Sequence, residues 1–256
     1  MTGKRRTRAD EPFLLVRSLA SNFAAGSAIA RHAHDWHQLI HASAGVLTVW
    51  TERGSWVAPS HMAVWVPGGI AHSIRFAGDS ALRTLYLRPG RSAGLPGQCT
   101  AVTVSPLLRE LILRATREGM LDERDPVEAA IATLIADEFR RSGAPPFELP
   151  QPLSPATRRA AALIAAGAPE AGSTAALAGA AGLGMRTLER RFLAETGMSP
   201  GRWRRHHALL GALELLAGKA PIKAVAAAAG YATPSAFTAA FRATFGITPA
   251  RYFGPR

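Results

Sequence analysis

The stretch TAALAGAAGLGMRTLERRFLAET, residues 174–196, is matched in outline by a second stretch, IKAVAAAAGYATPSAFTAAFRATF, residues 222–245. Each combines a short Ala-rich helix, a turn containing glycine and a second helix with an Arg-bearing face, and each is followed by a Gly-x-Ser/Thr-Pro stop. This order is typical of a helix-turn-helix unit, whose second helix enters the major groove of DNA. The repeat therefore predicts two such units in one chain.

The spacing of the two copies fits double-stranded DNA. The intervening residues 200–218 are expected to form one helix, which at about 1.5 Å per residue would span roughly 27–30 Å. Successive major-groove windows on one face of B-DNA lie about 34 Å apart. One chain could therefore place two recognition helices in adjacent major grooves.

The net charge of +12 is unevenly distributed along the chain. Residues 151–256 carry 13 Lys/Arg against 4 Asp/Glu, and residues 1–8 carry four basic residues and no acidic one. Residues 9–150 are nearly balanced, with 13 basic and 14 acidic residues. Clustered positive charge attracts phosphate and releases condensed counterions, so the charge supports DNA binding by the C-terminal half.

Length and composition limit the class of protein. A chain of 256 residues is long enough for two domains, and its apolar runs stay shorter than the ~18–20 residues of a membrane span. The basic N-terminus is followed by no apolar segment of the kind that a secretory signal needs. The single cysteine, Cys99, allows no intramolecular disulfide and fits a reducing compartment. We therefore expect a cytoplasmic protein that does not enter membranes.

The N-terminal half is predicted to be a β domain that differs in character from the rest. Short runs of β-branched, aromatic and aliphatic residues are separated by Gly, Pro, Ser and Asp, which favours an antiparallel barrel or sandwich over residues 13–104. The predicted strands are 46–50, 55–57, 62–66, 73–76 and 82–87. Residues 1–12 are expected to be a disordered basic tail.

Two amphipathic helices are predicted within residues 105–142. The segments 106–118 and 126–141 each begin with proline and each carry an apolar stripe at helical spacing. The stripes are Leu107, Leu108, Leu111, Ile112 and Ala115 in the first helix, and Val127, Ala130, Ile131, Leu134, Ile135 and Phe139 in the second. They could pack on the β domain, form a dimer interface, or do both. Residues 143–155 contain five prolines and are expected to be an extended linker, and residues 156–256 form the helical DNA-binding domain.

The first recognition helix has the more informative surface. Its outward face carries Arg186, Glu189 and Arg190 at i, i+3 and i+4 spacing. Arginine can bind guanine O6 and N7 with two hydrogen bonds, and glutamate can accept from cytosine N4. Gly184 stands at the N-cap, where serine would cap the helix better.

The second recognition helix is expected to be less selective. Thr233 followed by Pro234 is a strong helix start. The outward face offers Ser235, Thr238 and Arg242. We expect Arg242, late in the helix, to hold a phosphate, and Ser235 or Thr238 to touch bases.

Residues 156–253 resemble the DNA-binding domain of AraC/XylS-family transcriptional regulators. The matching motifs are MRTLERRF, ETGMSPGRW, GYATPSAFTAAFRATFG and the terminal TPARYF, in the order of that family. The resemblance implies two helix-turn-helix subdomains joined by a long helix and bound to promoter DNA, where RNA polymerase could be a protein partner. Gly184 and the small Ala239 depart from the family pattern.

The N-terminal half resembles a cupin barrel. The pattern Gly26-x5-His32-x-His34-x3-Gln38-x6-Gly45 follows the first cupin motif, with Gln in place of the usual Glu, and Pro67-x-Gly69-x2-His72 follows the second. The resemblance implies an α+β chain, with a cupin-like antiparallel barrel and helical pair before an all-α double helix-turn-helix domain. His32, His34, His72 and Gln38 would converge inside the barrel. They could hold Zn²⁺, Fe²⁺, Ni²⁺ or Cu²⁺ with an open position, or line a ligand pocket without metal.

These features favour a ligand-responsive, sequence-specific regulator that acts as a homodimer. An aromatic-rimmed pocket suits a small, partly apolar effector, and Trp36, Trp50 and Trp65 are the candidate pocket residues. The alternative is a cupin metalloenzyme fused to a DNA-binding domain, which the missing Glu and the absence of a clear general base disfavour. A nucleoid-type architectural protein would explain the charge but not the sensor.

Overall fold

The computed structural model describes residues 8–90, 94–143 and 147–253. The chain forms two compact units, residues 1–50 with 56–147 and residues 51–55 with 148–256. The first is built on antiparallel strands and the second on helices, so the predicted α+β class is confirmed. The described part of the predicted tail 1–12 differs from expectation, because Arg8–Phe13 forms a 3-10 helix. Residues 1–7 of that tail lie outside the described residues.

The first unit contains ten strands and two helices among its described residues. In chain order they are β1 Leu14–Phe23, β2 Ala28–His32, β3 His37–Ala44, β4 Val46–Trp50, β5 Gly54–Pro59, β6 Met62–Val66, β7 His72–Phe76, β8 Ser80–Leu87, β9 Thr100–Thr103, α1 Pro106–Glu118, β10 Met120–Asp122 and α2 Pro126–Arg141. One sheet has the order β10-β1-β8-β3-β6-β9, and a second holds β5-β4-β7-β2 in that order. Every predicted strand is present, while β1, β2, β3, β9 and β10 were not predicted.

The register of the first sheet gives its two faces different roles. Gln38 of β3 lies opposite Tyr86 of β8, and Tyr86 lies opposite Arg17 of β1. Directly opposed residues project from the same face of a sheet, so these three side chains share one face. Leu39 and its partner Leu85 project from the other face, because successive side chains alternate.

The core of the first unit lies between that second face and the helices. Leu39, Trp65, Leu85 and Val102 pack there against apolar side chains of α1 and α2. Burial of one such side chain contributes roughly 1.5–3 kcal/mol to folding. Both helices begin with proline after a side-chain cap, since Ser105 accepts from Leu108 N and Asp125 accepts from Val127 N.

Only part of each predicted helical stripe is buried. Leu108, Leu111, Ile112 and Ala115 of α1, and Ile131, Ile135 and Phe139 of α2, face the core. Leu107, Val127, Ala130 and Leu134 are exposed and do not pack on the β domain, so for these four residues only the alternative of a dimer interface remains. Val127, Ala130 and Leu134 recur at i, i+3 and i+7 and so form a second, outward apolar stripe on α2.

The second unit consists of a short strand and seven helices among its described residues. They are β11 Glu148–Pro150, α3 Pro155–Ala165, α4 Thr174–Ala180, α5 Met185–Thr196, α6 Pro200–Ala217, α7 Ile222–Ala228, α8 Pro234–Phe245 and α9 Pro249–Phe253, with a 3-10 helix Pro169–Gly172 before α4. The predicted extended linker, residues 143–155, therefore contains a strand, and Leu149 within it is buried. Residues 144–146 of that linker lie outside the described residues.

The two helix-turn-helix pairs, α4–α5 and α7–α8, are joined by α6 as the sequence predicts. The 18 residues of α6 correspond to about 27 Å of helix. Leu188 and Phe192 of α5 are fully buried, as are Phe237 and Phe241 of α8. These apolar residues leave the opposite side of each recognition helix in solvent.

Candidate ligand pocket and DNA interface

Three imidazoles converge in the first unit. His32 ends β2 and lies opposite His72 at the start of β7, while His34 follows two residues after His32. Their ligand atoms all lie within 4.8 Å of one another. The convergence arises because β2 and β7 are paired strands, which places both cupin-like motifs at one end of the second sheet.

Each imidazole is oriented by a backbone carbonyl. Nδ1 lies 2.9 Å from Ala30 O in His32, 2.6 Å from Trp36 O in His34 and 2.9 Å from Ile70 O in His72. A carbonyl oxygen can only accept, so each Nδ1 carries the hydrogen in a satisfied arrangement. In a neutral ring this leaves a lone pair on Nε2, the atom that would bind a metal.

Gln38 brings a further acceptor to the same point. Its Oε1 lies 2.9 Å from Nε2 of His34 and 2.9 Å from Nε2 of His72. The other end of the amide is fixed, because Gln38 Nε2 donates to Thr84 Oγ1 at 3.0 Å and Thr84 donates to Leu39 O at 3.0 Å. The buried amide therefore directs an oxygen, and no hydrogen, at the two imidazoles.

This arrangement brings acceptors face to face. In either neutral tautomer, His34 and His72 present a lone pair to an oxygen, at Gln38 or at a backbone carbonyl. A bridging cation or a proton on each ring would remove the conflict. Burial lowers the pKa of His72 to about 4, reinforced by His32 and His34 and opposed by the hydrogen bond to Ile70, which disfavours the proton near pH 7.

A reversed Gln38 amide is the third solution. Its NH2 group would donate to both imidazoles, but Thr84 would then have to donate to Gln38, and Leu39 O would lose the hydroxyl. In the orientation observed, three imidazole nitrogens and one amide oxygen meet without a competing donor. This set fits the Zn²⁺, Fe²⁺, Ni²⁺ or Cu²⁺ expected from the sequence.

The rim of this site contains residues that the sequence did not identify. The ring of Tyr86 lies edge-on to His34, with centroids 5.1 Å apart. Its cross-strand neighbour Arg17 stacks over Trp36 at 4.3 Å from the ring centroid and also pairs with Glu11. Burial raises the pKa of Tyr86. Recognising β1 and its register with β8 would have placed Arg17 and Tyr86 beside the histidines.

Among the three predicted pocket tryptophans, Trp36 lies next to the site: its backbone carbonyl is 2.6 Å from His34 Nδ1, and its ring stacks against Arg17. Trp65 projects from the opposite face of the first sheet, where its ring packs 4.9 Å from Phe139 and Nε1 donates to Pro96 O. Trp50 stacks on Arg75, which lies three residues from His72 and so on the opposite face of β7. The prediction was wrong for both, because the direction of a strand side chain depends on register.

The neighbouring histidines support the structure around the site. His37 Nδ1 accepts from Gly68 N at 2.9 Å, and burial lowers its pKa. His41 Nδ1 lies 3.0 Å from Met62 O, and burial lowers its pKa to about 4 despite that bond. His41 is two residues from Leu39 on β3 and therefore projects toward the helices.

The predicted reading surface on α5 is open to solvent. Arg186, Glu189 and Arg190 are all exposed, as are Met185 and Leu193. Gly184 is the N-cap and offers no side-chain hydrogen bond to the first turn. On α8, Ser235 and Arg242 are exposed and Thr238 is half-buried, and Thr233 caps the helix by accepting from Ala236 N.

Two basic residues early in α6 serve the fold of the second unit. Arg204 donates to Ala171 O, and His206 Nε2 lies 2.9 Å from Glu148 O. Burial lowers the pKa of His206. Arg202 and Arg205 remain exposed on the same helix, so these two are the basic side chains of this segment that are open to a phosphate.

Among the described residues, none of the helices combines the length and the apolar character that a membrane-spanning segment requires.

Comparison with known proteins identifies both halves of the chain. Residues 18–164 match the AraC-like ligand binding domain, and residues 177–254 match a helix-turn-helix domain. The HTH-type transcriptional regulator NimR of Escherichia coli K12 is 32% identical over 221 residues, which cover 86% of this chain and 81% of NimR.

Among solved structures, the chain is similar to unsaturated fatty acid-bound ToxT from Vibrio cholerae, with 12% identity, a TM-score of 0.39 and coverage of 93% of this chain and 94% of that one. It is also similar to the DNA-binding domain of AdpA in complex with a target DNA, with 28% identity, a TM-score of 0.34 and coverage of 39% and 90%. The two family matches and the long alignment with NimR agree: the chain belongs to the AraC-like family of transcriptional regulators, with an N-terminal ligand-binding domain and a C-terminal helix-turn-helix DNA-binding domain.

Proposed function

We propose that the chain is a cytoplasmic one-component regulator in which a cupin-like barrel senses a small molecule and thereby alters promoter binding. The observation that carries the sensor role is the meeting of three imidazole nitrogens and the Gln38 oxygen beside Tyr86. His72 and Gln38 are buried in this cluster, and buried acceptors that face each other are costly without a ligand. Ligand binding would bias an equilibrium between two states of the chain.

We infer that His32, His34, His72 and Gln38 hold a divalent transition metal. When bound, the metal would supply a Lewis-acidic position for part of the effector. The chain's own residues would orient the metal ligands. The backbone carbonyls of residues 30, 36 and 70 hold the imidazole rings, and Thr84 holds the Gln38 amide. Tyr86 and Trp36 form the adjoining wall.

For DNA, we propose that α5 reads bases and α8 mainly contacts the backbone. Arg186, Glu189 and Arg190 share one exposed face with Met185, whose apolar side chain suits a thymine methyl group. Arg242 would hold a phosphate while Ser235 and Thr238 touch bases.

Selection of bound duplexes from a random pool, at about 150 mM salt to suppress non-specific binding, tests this assignment. We expect an enriched motif with half-sites about one helical turn apart, and loss of preference at defined bases in Arg186→Ala or Arg190→Ala. Near-equal affinity for all duplexes would contradict it and favour an architectural protein.

We further propose that the regulator is a homodimer that contacts RNA polymerase at its promoters. The outward stripe of Val127, Ala130 and Leu134 supports the dimer, because apolar side chains grouped in solvent often mark an interface, and Leu107 of α1 is likewise exposed. A strictly monomeric species by light scattering at micromolar concentration would contradict the dimer.

The competing function is a cupin metalloenzyme fused to a DNA-binding domain. We favour a regulator without enzymatic activity, because the relatives are named transcriptional regulators and the site has an amide where an enzyme of this type would use a carboxylate. Turnover of candidate substrates by the metal-loaded protein would reverse this preference.

A further inference from the structure

The proposed metal site contains only neutral donors. Among the described residues, its ligands are three imidazoles and the amide of Gln38. Gln38 stands at the position where Glu would bring a negative charge. His72 is fully buried and Gln38 is 2% exposed. His32 and His34 are half-buried. A dication held by such a set keeps its full charge in a partly desolvated place, which is costly unless an anion accompanies it.

The rim beside the site contains a guanidinium and a phenol that can donate hydrogen bonds to a ligand. Arg17 and Tyr86 are opposed on β1 and β8, and Tyr86 contacts the His34 ring. Arg17 already pairs with Glu11, but its guanidinium has five N–H donors, and Glu11 engages only part of them. The ring of Trp36 under Arg17 adds a flat apolar wall.

We propose that the effector is a small carboxylate, most suitably one attached to an aromatic or other flat apolar body. Its negative charge would replace the one that Gln38 does not provide, and its apolar body would lie along Trp36 and Tyr86. This inference rests on the metal binding proposed above. It predicts that metal and carboxylate bind cooperatively, because each stabilises the site for the other, and such coupling must be reciprocal.

The test uses the full chain with Co²⁺ as the metal probe, benzoate as the carboxylate and benzamide as its neutral isostere. The visible absorption of Co²⁺ reports occupancy and coordination directly, and inductively coupled plasma analysis gives the stoichiometry. We expect benzoate to lower the Kd for Co²⁺ by about 5-fold or more, within the usual range of coupling between sites, and to change the Co²⁺ spectrum. Benzamide should do neither.

Two variants separate the sources of the effect. Gln38→Glu supplies the missing charge internally, so it should bind Co²⁺ more tightly than the wild type without benzoate and respond little to benzoate. Arg17→Ala should keep Co²⁺ binding but weaken the benzoate response. Arg75→Ala is the matched control, because Arg75 likewise stacks on a tryptophan, Trp50, but on the opposite face of β7 from His72. Circular dichroism checks that each variant folds.

The possible negative results of this experiment rule out different proposals. If Co²⁺ binds stoichiometrically but benzoate and benzamide leave its Kd equally unchanged, the carboxylate inference is wrong and the metal proposal stands. If the wild type binds no Co²⁺ with or without benzoate, both are wrong, and Gln38 instead donates its amide to His34 and His72. A benzoate response that persists undiminished in Gln38→Glu would also overturn the charge argument.

Discussion

The carboxylate of Glu195 accepts a 2.6 Å hydrogen bond from the hydroxyl of Thr157, which joins the end of the first recognition helix to the start of α3. The same oxygen accepts from the backbone N–H groups of Leu153 and Ser154, at 2.7 and 3.0 Å. Ser154, the N-cap of α3, makes no side-chain capping bond. Glu195 therefore holds the residues that lead into α3 by hydrogen bonds from another helix, without capping the first-turn N–H groups themselves.

Glu195 should make the stability of the second unit depend on pH. Burial would raise the pKa of its carboxyl, but the hydrogen bonds from Thr157, Ser154 and Leu153 outweigh it and lower the pKa from 4.5 to about 2. A carboxyl whose pKa is lower in the folded state stabilises the fold at pH values above its unfolded-state pKa. This contribution is lost as the pH falls toward the folded-state pKa. The free energy of unfolding of the wild type relative to Glu195→Gln should thus be constant above about pH 5 and shrink between about pH 4.5 and 2.

Urea unfolding of both proteins across that pH range measures the difference. Thr157→Val serves as the control, since it removes one donor to the carboxylate and should reduce the pH dependence without abolishing it. A difference between wild type and Glu195→Gln that does not change with pH would show that the hydrogen bonds do not favour the ionised form.

Gly184→Ser should stabilise the protein. Gly184 is the uncapped N-cap of α5, its φ is −72°, and an added Cβ would meet nothing within 4 Å. A serine hydroxyl could accept an N–H of the first turn, and the unfolded chain would lose entropy, together about 0.5–1 kcal/mol. The matched control is Gly197→Ser at the other end of the helix. There φ is +68°, so the same change should destabilise by about 1–2 kcal/mol. Equal effects of the two changes on the thermal midpoint would contradict the capping argument.

The helix starts show what the sequence could predict. α1, α2 and α8 begin where Ser105, Asp125 and Thr233 each precede a proline, because capping depends on neighbours along the chain. The convergence of His32, His34 and His72 was also predicted, because the spacing within the two cupin-like motifs reflects how their strands pair. The role of Glu195 was not, since its partners lie about 40 residues away and no local pattern links them.

The errors concern the direction of side chains. Trp50 and Trp65 lie in predicted strands, yet a shift of one residue in register reverses the face of every side chain. In the same way, Leu107 and Leu134 fit a helical stripe, but only the width of the packed sheet decides where the buried face ends. β1 was missed because its run LLVRSLASNF mixes polar and apolar residues without strict alternation.

Arg186→Ala and Arg242→Ala should affect DNA binding in different ways. Loss of a base contact should weaken binding to the selected site by about 1–3 kcal/mol and relax preference at one base pair. Loss of a phosphate contact should weaken binding to all duplexes alike and reduce the slope of log K against log salt by about 1. Fluorescence anisotropy with specific and scrambled duplexes at several salt concentrations measures both. Identical behaviour of the two variants would overturn the assignment of reading and positioning roles.

Charges placed on the exposed apolar residues of α1 and α2 should dissociate the proposed dimer. Leu107→Glu combined with Leu134→Glu places two charges where the side chains are 50% and 44% exposed, so the monomer should fold normally. Light scattering should then report half the mass of the wild type. Leu19→Glu is the control, because Leu19 is similarly exposed, at 46%, but lies on β1. A dimer that survives the double change must use another surface.

His34→Ala should separate sensing from DNA binding. The variant removes one of three imidazoles and the ring that contacts Tyr86, so metal content and effector response should fall. Non-specific DNA binding should persist, since the basic residues of α5, α6 and α8 are untouched. Metal analysis and anisotropy on the same preparation measure both properties, and Gln38→Leu provides a second loss of a donor at the site. If His34→Ala abolishes DNA binding together with the circular dichroism of the folded chain, His34 is a structural residue, and the sensor assignment must then depend on His32 and His72 alone.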